Sequence, residues 1–127
     1  MTKVFTFGSN AQGKHGAGAA LTAYKKHGAR WWCGYGHYGN SFAIPTKSIY
    51  LETLTLSTIK AYVDGFKAYA ADHPELIFQV TRIGCGLAGY KDEEIAPLFL
   101  GSGINCEFDS AWKSFLGAEF TYWGHYD

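Results

Sequence analysis

Two glycine-rich loops have the pattern best suited to binding chemistry, because each joins an apolar, β-prone run to a helical segment. Glycine has no Cβ, so backbone N–H groups in such loops can approach a ligand closely, and a helix N-terminus adds partial positive charge. Two such loops predict a cradle for the phosphates of a nucleotide. The alternative interpretation is that both loops are ordinary tight connections between a strand and a helix. The residues concerned are Gly8, Ser9, Asn10, Gly16, Ala17, Gly18 and Ala19 in the first loop and Gly84, Cys85, Gly86, Leu87, Ala88, Gly89 and Tyr90 in the second.

A few side chains near these loops have groups that can react. Lys47 follows a predicted strand, and its amine is a candidate nucleophile if it faces the cradle and a solvated charge if it does not. His15 lies inside the first loop. Cys85 lies inside the second, but no histidine is placed locally to activate its thiol. The three cysteines and five histidines have no metal-ligand spacing, so we expect no metal site and no cofactor.

Length and composition favour one packed domain over residues 1–127. The chain is 47% hydrophobic and 17% charged. Eleven cationic residues balance eleven acidic ones, which argues against nucleic-acid binding through bulk charge and leaves a local basic patch open. Three cysteines, an odd number, indicate free thiols and a cytoplasmic protein. The first residues are too polar for a signal peptide, and no apolar run approaches the roughly 20 residues of a membrane span.

Strands and helices must hold the two loops, and hydrophobic periodicity indicates where these elements lie. Helices are predicted over residues 19–28, ending at Gly28, over residues 56–73, and from about Asp92, with a late start or kink at Pro97. Strands are predicted over residues 4–7, 30–33, 41–45, 76–81 and 104–108, and residues 120–123 form either a strand or a packing arm. This alternation predicts a three-layer α/β/α domain with a parallel or mixed central sheet, whose ligands bind at the carboxyl ends of the strands.

The second loop also resembles the diphosphate loop of the macrodomains, which bind ADP-ribose. The closest branch contains hydrolases that remove terminal ADP-ribose from protein glutamate, an antitoxin that strips ADP-ribose from DNA, and a phosphatase of ADP-ribose 1″-phosphate. Its loop reads Arg-Ile-Gly-Cys-Gly-Leu-Asp, and residues 82–88 read Arg-Ile-Gly-Cys-Gly-Leu-Ala. Residues 42–47, Phe-Ala-Ile-Pro-Thr-Lys, are similar to the family's strand that ends in the attacking lysine. The resemblance spans about residues 4–108 and leaves an aromatic C-terminal extension, residues 112–127, uncovered.

The resemblance implies a macrodomain-like fold and a role for individual residues. The first loop would contact the distal ribose, with Asn10 as a partner, and residues 84–88 would bind the diphosphate through backbone N–H groups. Tyr90 would pack on the distal ribose, and Lys47 would open it through a Schiff-base-like intermediate. Ala88 occupies the position of the family's catalytic aspartate. Asp92, four residues on, is either a replacement for that carboxylate or a helix-start residue.

Three functions stay open at this point. The first is a lysine-dependent ADP-ribosyl hydrolase acting on a modified protein, on DNA or on a small ADP-ribose derivative. The second, which Ala88 favours, is a non-catalytic reader of ADP-ribose or a sponge for an ADP-ribose-derived signal nucleotide. The third is an α/β scaffold whose aromatic C-terminal segment mediates self-association. No membrane partner is expected, and the sequence leaves the oligomeric state open.

Overall fold

The structure is a computed structural model that describes residues 2–126. The two ends of the predicted domain, Met1 and Asp127, lie outside the described residues. The strands in this range are β1 (Thr2–Asn10), β2 (Gly36–Tyr38), β3 (Ser41–Lys47), β4 (Leu76–Val80), β5 (Cys106–Asp109) and β6 (Thr121–Gly124). The helices are α1 (Gly18–Lys26), α2 (Leu56–Ala71), α3 (Asp92–Ile95) and α4 (Lys113–Leu116), and 3₁₀ turns cover Ala96–Phe99 and Ser110–Trp112.

The six strands form one mixed sheet in the order β2-β3-β1-β4-β5-β6. β2 pairs antiparallel with β3, and every other neighbouring pair is parallel. Parallel pairs require a crossover between the strands, and the helices provide it. The prediction of an α/β fold with a mixed central sheet is confirmed.

Both faces of the sheet are covered, because its strands carry apolar side chains in alternation. On one face the sheet packs against α2, whose buried residues Ile59, Val63, Phe66 and Ala70 recur at three- and four-residue spacing. On the other face Phe5 and Phe7 of β1 pack with two alanines of α1, Ala20 and Ala23. The result is three layers, α/β/α, with β1 at the centre of the sheet.

The helix ends follow the predicted signals closely. α1 ends just before Gly28, which has φ +80°, and a residue with a side chain adopts that left-handed conformation only at a cost. α2 begins after Thr55, whose Oγ1 accepts a hydrogen bond from the Thr58 N–H at 3.3 Å. α3 does begin at Asp92, but it lasts four residues and passes into the 3₁₀ turn that contains Pro97.

The predicted strand over residues 30–33 is wrong. Trp31 and Trp32 form a turn, and the strand β2 occurs a few residues later. The physical reason is a tertiary contact with the first glycine loop: the Trp32 N–H donates to the Gly13 carbonyl at 2.7 Å, and Trp32 has φ +71°. Gly13 is required there, since a Cβ on it would lie 2.3 Å from the Trp32 carbonyl carbon. β-propensity of the tryptophans gives way to this contact.

The aromatic C-terminal segment is part of the sheet and not a free extension. Trp112 is fully buried in the larger core, and β6 pairs parallel with β5. The indole N–H of Trp123 donates to the Val80 carbonyl at 2.9 Å, which fixes β6 against β4 across the sheet face. Most of the segment's aromatic surface is therefore already used within the chain. None of the helices in residues 2–126 has the length and apolar character needed to cross a bilayer.

Candidate ligand cleft

A cleft of about 570 Å³ opens at the carboxyl ends of β1, β3 and β4. This volume lies in the range of small-molecule and cofactor sites. Parallel register brings the strand ends together, since Asn10 of β1 lies opposite Lys47 of β3 and the Thr81 N–H donates to the Thr6 carbonyl at 2.9 Å. The cleft is lined by Gly8, Ser9, Asn10, Lys14, Gly16, Ala17, Gly18, Ala19, Ala20, Thr46, Lys47, Leu51, Thr81, Arg82, Ile83, Gly84, Cys85, Gly86, Leu87, Ala88, His125 and Tyr126.

The structure brings together most of the residues predicted from sequence. All seven residues of the first loop, Lys47 and the second-loop residues 84–88 line the cleft. Gly89, Tyr90 and Asp92 do not. The two loops also approach each other closely, because a Cβ on Gly8 would lie 3.4 Å from the Gly84 nitrogen.

The polar side chains of the first loop hold the loop itself. The Asn10 amide donates through Nδ2 to the Lys14 carbonyl at 2.8 Å and accepts the Lys14 N–H at 3.0 Å. The Ser9 hydroxyl donates to the Gly34 carbonyl. Both side chains are therefore already engaged, and the loop offers a ligand mainly its backbone. The N-terminus of α1, at Gly18, opens into the cleft and has no side-chain cap, so its first N–H groups are available to an anion.

The second loop presents backbone N–H groups in the same way. Its shape depends on Gly84 at φ +77° and on the Tyr90 N–H, which donates to the Gly84 carbonyl at 2.9 Å. Across residues 2–126, no acceptor takes the N–H groups of Gly86, Leu87 or Ala88. Successive backbone amides without a partner in the protein are the kind of group that binds an anion.

Tyr90 lies outside the cleft, contrary to its predicted position against a ligand. Its ring packs against the larger core, and its hydroxyl donates to the Leu54 carbonyl at 2.5 Å. The side chain thus anchors the end of the second loop. The loop is held from a second point by Thr53, whose hydroxyl donates to the Ala88 carbonyl at 3.1 Å. Because Thr53 pairs with Lys47 in an isolated bridge, this contact ties the second loop to the strand end that carries the lysine.

Asp92 also lies outside the cleft wall, and its carboxylate accepts three hydrogen bonds from two residues. Arg82 donates from Nε to Oδ1 at 2.8 Å and from Nη2 to Oδ2 at 2.6 Å. The buried indole of Trp112 donates to Oδ1 at 2.7 Å. The hydrogen bonds from Arg82, more than any other contact, hold the pKa of Asp92 below its ordinary value. This arrangement makes Asp92 a clamp between the second loop and the C-terminal segment.

Cys85 lines the cleft, but its thiol is a poor nucleophile. Burial and the nearby Asp92 charge raise its pKa to about 12. We expect iodoacetamide at pH 7.5 to leave Cys85 unmodified in the folded protein and to modify it after unfolding in urea, as read by peptide mass spectrometry. Rapid stoichiometric modification of folded protein at that pH would contradict this expectation.

Sequence reasoning missed nine residues of the cleft wall, and Ala20, Thr46, Thr81 and Ile83 are close neighbours in sequence of residues that it did predict. Lys14, Leu51 and Arg82 sit beside predicted residues, so proximity to the loops was a usable signal. His125 and Tyr126 had no such signal, because the path of the chain after β6 brings them to the cleft. The buried carboxylate of Asp109 lies 2.5 Å from the His125 Nδ1 and so orients the ring.

His15, inside the first loop, is fully buried and does not line the cleft. Its Nε2 lies 2.7 Å from the Arg30 carbonyl, and its ring packs edge-on against Phe7 and Trp31. These contacts connect the first loop to the turn at Trp31. The histidine therefore positions the loop and does not face a ligand. No cluster of three or more metal-ligating side chains occurs among the residues that the structure describes.

The fold and the cleft define a class: a three-layer α/β/α protein with an anion-suited cleft at the carboxyl ends of its parallel strands. No family model matches the chain, and no curated protein matches it. A solved structure of a protein of unknown function from Bacteroides thetaiotaomicron is similar, with a TM-score of 0.64 and 19% sequence identity. The similarity covers 84% of this chain and 85% of that chain. At this identity the comparison shows a shared fold.

Proposed function

We propose that the cleft binds ADP-ribose or an ADP-ribose derivative. The observation that carries the proposal is the convergence of two glycine loops and Lys47 on one cleft. In this proposal the free N–H groups of residues 86–88 bind the diphosphate, and the N-terminus of α1 adds its partial positive charge. The macrodomain-like sequence of the second loop supports the choice of ligand.

The cleft wall offers two chemically different groups to the proposed ligand. Lys47 lines the cleft, and the proposal puts the distal ribose beside it. Tyr126 and His125 also line the cleft, and an aromatic ring with an oriented imidazole suits a stacked, hydrogen-bonding base. The proposal therefore puts the base beside these two residues.

We further propose that Lys47 makes the protein an ADP-ribosyl hydrolase. The neutral amine would attack C1″ of the distal ribose and form a C–N bond as the C1″–O bond to the leaving group breaks. The leaving group departs with the bonding electrons, and the amine loses its proton to solvent. The resulting glycosylamine opens to a Schiff base, and water then releases ADP-ribose and restores the amine.

A reader or sponge that binds without turnover is the second candidate. Ala88 favours it, because a methyl group cannot accept a proton or orient water where the related hydrolases carry a carboxylate. The clamp role of Asp92 favours it too, since that carboxylate is already held by Arg82 and Trp112. Partners of either candidate include ADP-ribosylated protein or DNA, and three free thiols fit a cytoplasmic location.

Isothermal calorimetry with the full chain tests the proposed ligand. We expect saturable heat at one site per chain with ADP-ribose and none with ribose 5-phosphate at the same concentration, because the latter lacks the diphosphate. Absence of heat with ADP-ribose, NAD and cyclic ADP-ribose alike would remove the proposal. Incubation with an ADP-ribosyl ester, followed by chromatography, then separates the hydrolase from the reader.

Two glycines of the second loop separate binding from folding. A Cβ on Gly86 meets nothing within 4 Å, so Gly86→Ala should leave the free energy of unfolding within about 0.5 kcal/mol. Its methyl group would stand in the cleft, and we expect ADP-ribose affinity to fall roughly five- to hundredfold. Gly84→Ala, in contrast, should cost about 1–3 kcal/mol of stability, since Gly84 has φ +77° and its Cβ would lie 3.1 Å from Ile95 Cδ1. Equal effects of the two changes on affinity and stability would contradict this.

A further inference from the structure

Three exposed aromatic rings form a continuous surface next to the cleft, on α1 and the turn after it. Tyr24, Trp31 and Trp32 are 47%, 37% and 63% exposed. The ring centroid of Trp31 lies 5.4 Å from that of Tyr24 and 6.3 Å from that of Trp32. Trp31 also lies against Gly16, which lines the cleft. We call these three residues the aromatic surface.

Trp32 has a strained backbone and an accessible ring. Its backbone has φ +71°, a conformation that costs free energy for a bulky residue, and it is held there by the hydrogen bond to Gly13. Strained backbone of this kind clusters at functional sites. The Trp32 side chain is exposed, so its ring is accessible to a partner outside the chain.

Four exposed cations lie close in sequence to the aromatic surface or in contact with it. The Lys14 Nζ lies 5.9 Å from the centroid of the Trp32 ring. Lys25 and Lys26 directly follow Tyr24, and Arg30, whose guanidinium lies 6.0 Å from the Tyr38 ring centroid, directly precedes Trp31. Within residues 2–126, none of these four forms an ion pair. The sequence explains why: residues 1–51 contain six lysines and arginines and no acidic residue, and all eleven acidic residues lie from Glu52 onward. Although the net charge of the whole chain is zero, residues 1–51 are basic, and the aromatic surface belongs to this segment.

We propose that the aromatic surface and its four cations bind a single-stranded nucleic acid. Unpaired bases can stack on exposed tryptophan and tyrosine rings while lysine and arginine contact the phosphates, and this combination is typical of single-strand sites. An acidic protein segment would satisfy the cations but would leave the rings without a planar partner. Duplex nucleic acid keeps its bases stacked internally and offers the rings nothing.

This inference does not depend on the proposed function of the cleft. Where both hold, a nucleic acid bound to the aromatic surface also approaches the cleft, because Lys14 and Gly16 line it. The two can fail separately, because ADP-ribose calorimetry reports the cleft and oligonucleotide binding reports the surface.

Fluorescence anisotropy of a labelled twelve-nucleotide thymidine strand, added to the full chain, tests the inference. We expect saturable binding. The logarithm of the association constant should fall with the logarithm of the salt concentration at a slope of about −3, as four phosphate contacts predict. Lys25→Ala with Lys26→Ala should reduce the magnitude of this slope by about 1.4. The same label on a duplex of equal length, and on a polyglutamate peptide, should bind more weakly than the single strand.

Variants of the rings separate stacking from charge. Trp32→Ala should weaken single-strand binding roughly five- to hundredfold, and Trp32→Phe should restore much of it. The matched control is Phe115→Ala, which removes another exposed aromatic ring on α4 and should leave binding unchanged. No binding at low salt, or binding unaffected by Trp32→Ala, overturns the inference. Tighter binding of polyglutamate identifies an acidic protein partner instead, and tighter binding of the duplex likewise overturns the single-strand assignment.

Discussion

Replacing Lys47 with alanine should slow release of ADP-ribose from an ADP-ribosyl ester by about three orders of magnitude or more. Loss of an activated nucleophile has effects of this size, whereas loss of an ordinary surface contact does not. The fold should survive, because Lys47 contributes to the structure through its backbone: its carbonyl accepts the Ala11 N–H at 2.8 Å. Binding of ADP-ribose should change less than roughly tenfold, since the second-loop amides are untouched.

The matched control is Lys113→Ala, an exposed lysine on α4 outside the cleft wall, which should turn over like the wild type. Single-turnover rates by chromatography and dissociation constants by calorimetry should be measured on the same preparations. An unchanged rate in Lys47→Ala would refute the lysine mechanism. A wild type that binds ADP-ribose and releases nothing from any ester would favour the reader or sponge.

The Asp92 clamp is the site of the second large effect. Asp92→Ala should lower the free energy of unfolding by about 2–3 kcal/mol at pH 7, because it leaves the buried Trp112 indole N–H without an acceptor and removes the partner of Arg82. Urea denaturation measures the change. If Asp92 acts as a clamp, the loss of stability should be accompanied by similar losses of ADP-ribose binding and of turnover. A stable Asp92→Asn protein that has lost turnover alone would instead make Asp92 catalytic.

The same clamp predicts a pH dependence whose sign follows from the lowered pKa. Hydrogen bonds from Arg82 hold the pKa of Asp92 below its ordinary value of 3.8. The carboxylate therefore stabilises the fold fully above about pH 4 and loses that contribution as pH falls through its folded pKa. The stability difference between wild type and Asp92→Ala should be constant from pH 6 to 8 and narrow below pH 4. A difference as large at pH 3 as at pH 7 would show that the charge of Asp92 is not what stabilises the clamp.

The elements that could be predicted are those where one local signal dominates. α2 has a helical stripe of apolar residues, and the helix is found where the stripe predicts it. The second loop was recognisable because its glycines follow an apolar run directly. In both cases the deciding contacts lie within the element or its immediate neighbours, so the sequence carries the information locally.

The features that escaped prediction depend on contacts between distant segments. Trp31 and Trp32 look like strand residues until Gly13 holds them in a turn. Asp92 looks like a candidate acid until Arg82 and Trp112 take its oxygens. Contacts with partners ten or twenty residues away override local propensity. They also give a structural role to a side chain that the sequence alone suggests is catalytic.

The central position of β1 has a consequence for how the chain folds. β1 is the first strand in the sequence, but its neighbours in the sheet, β3 and β4, come later in the chain. The Thr6 carbonyl, for example, accepts its hydrogen bond from the distant Thr81 N–H. Loop closure over such distances slows folding, so we expect a high barrier and a nucleus that joins the beginning of the chain to its middle. Because the cleft is made from the ends of these same strands, it should appear in the step that completes the sheet, with no half-formed precursor able to capture a ligand.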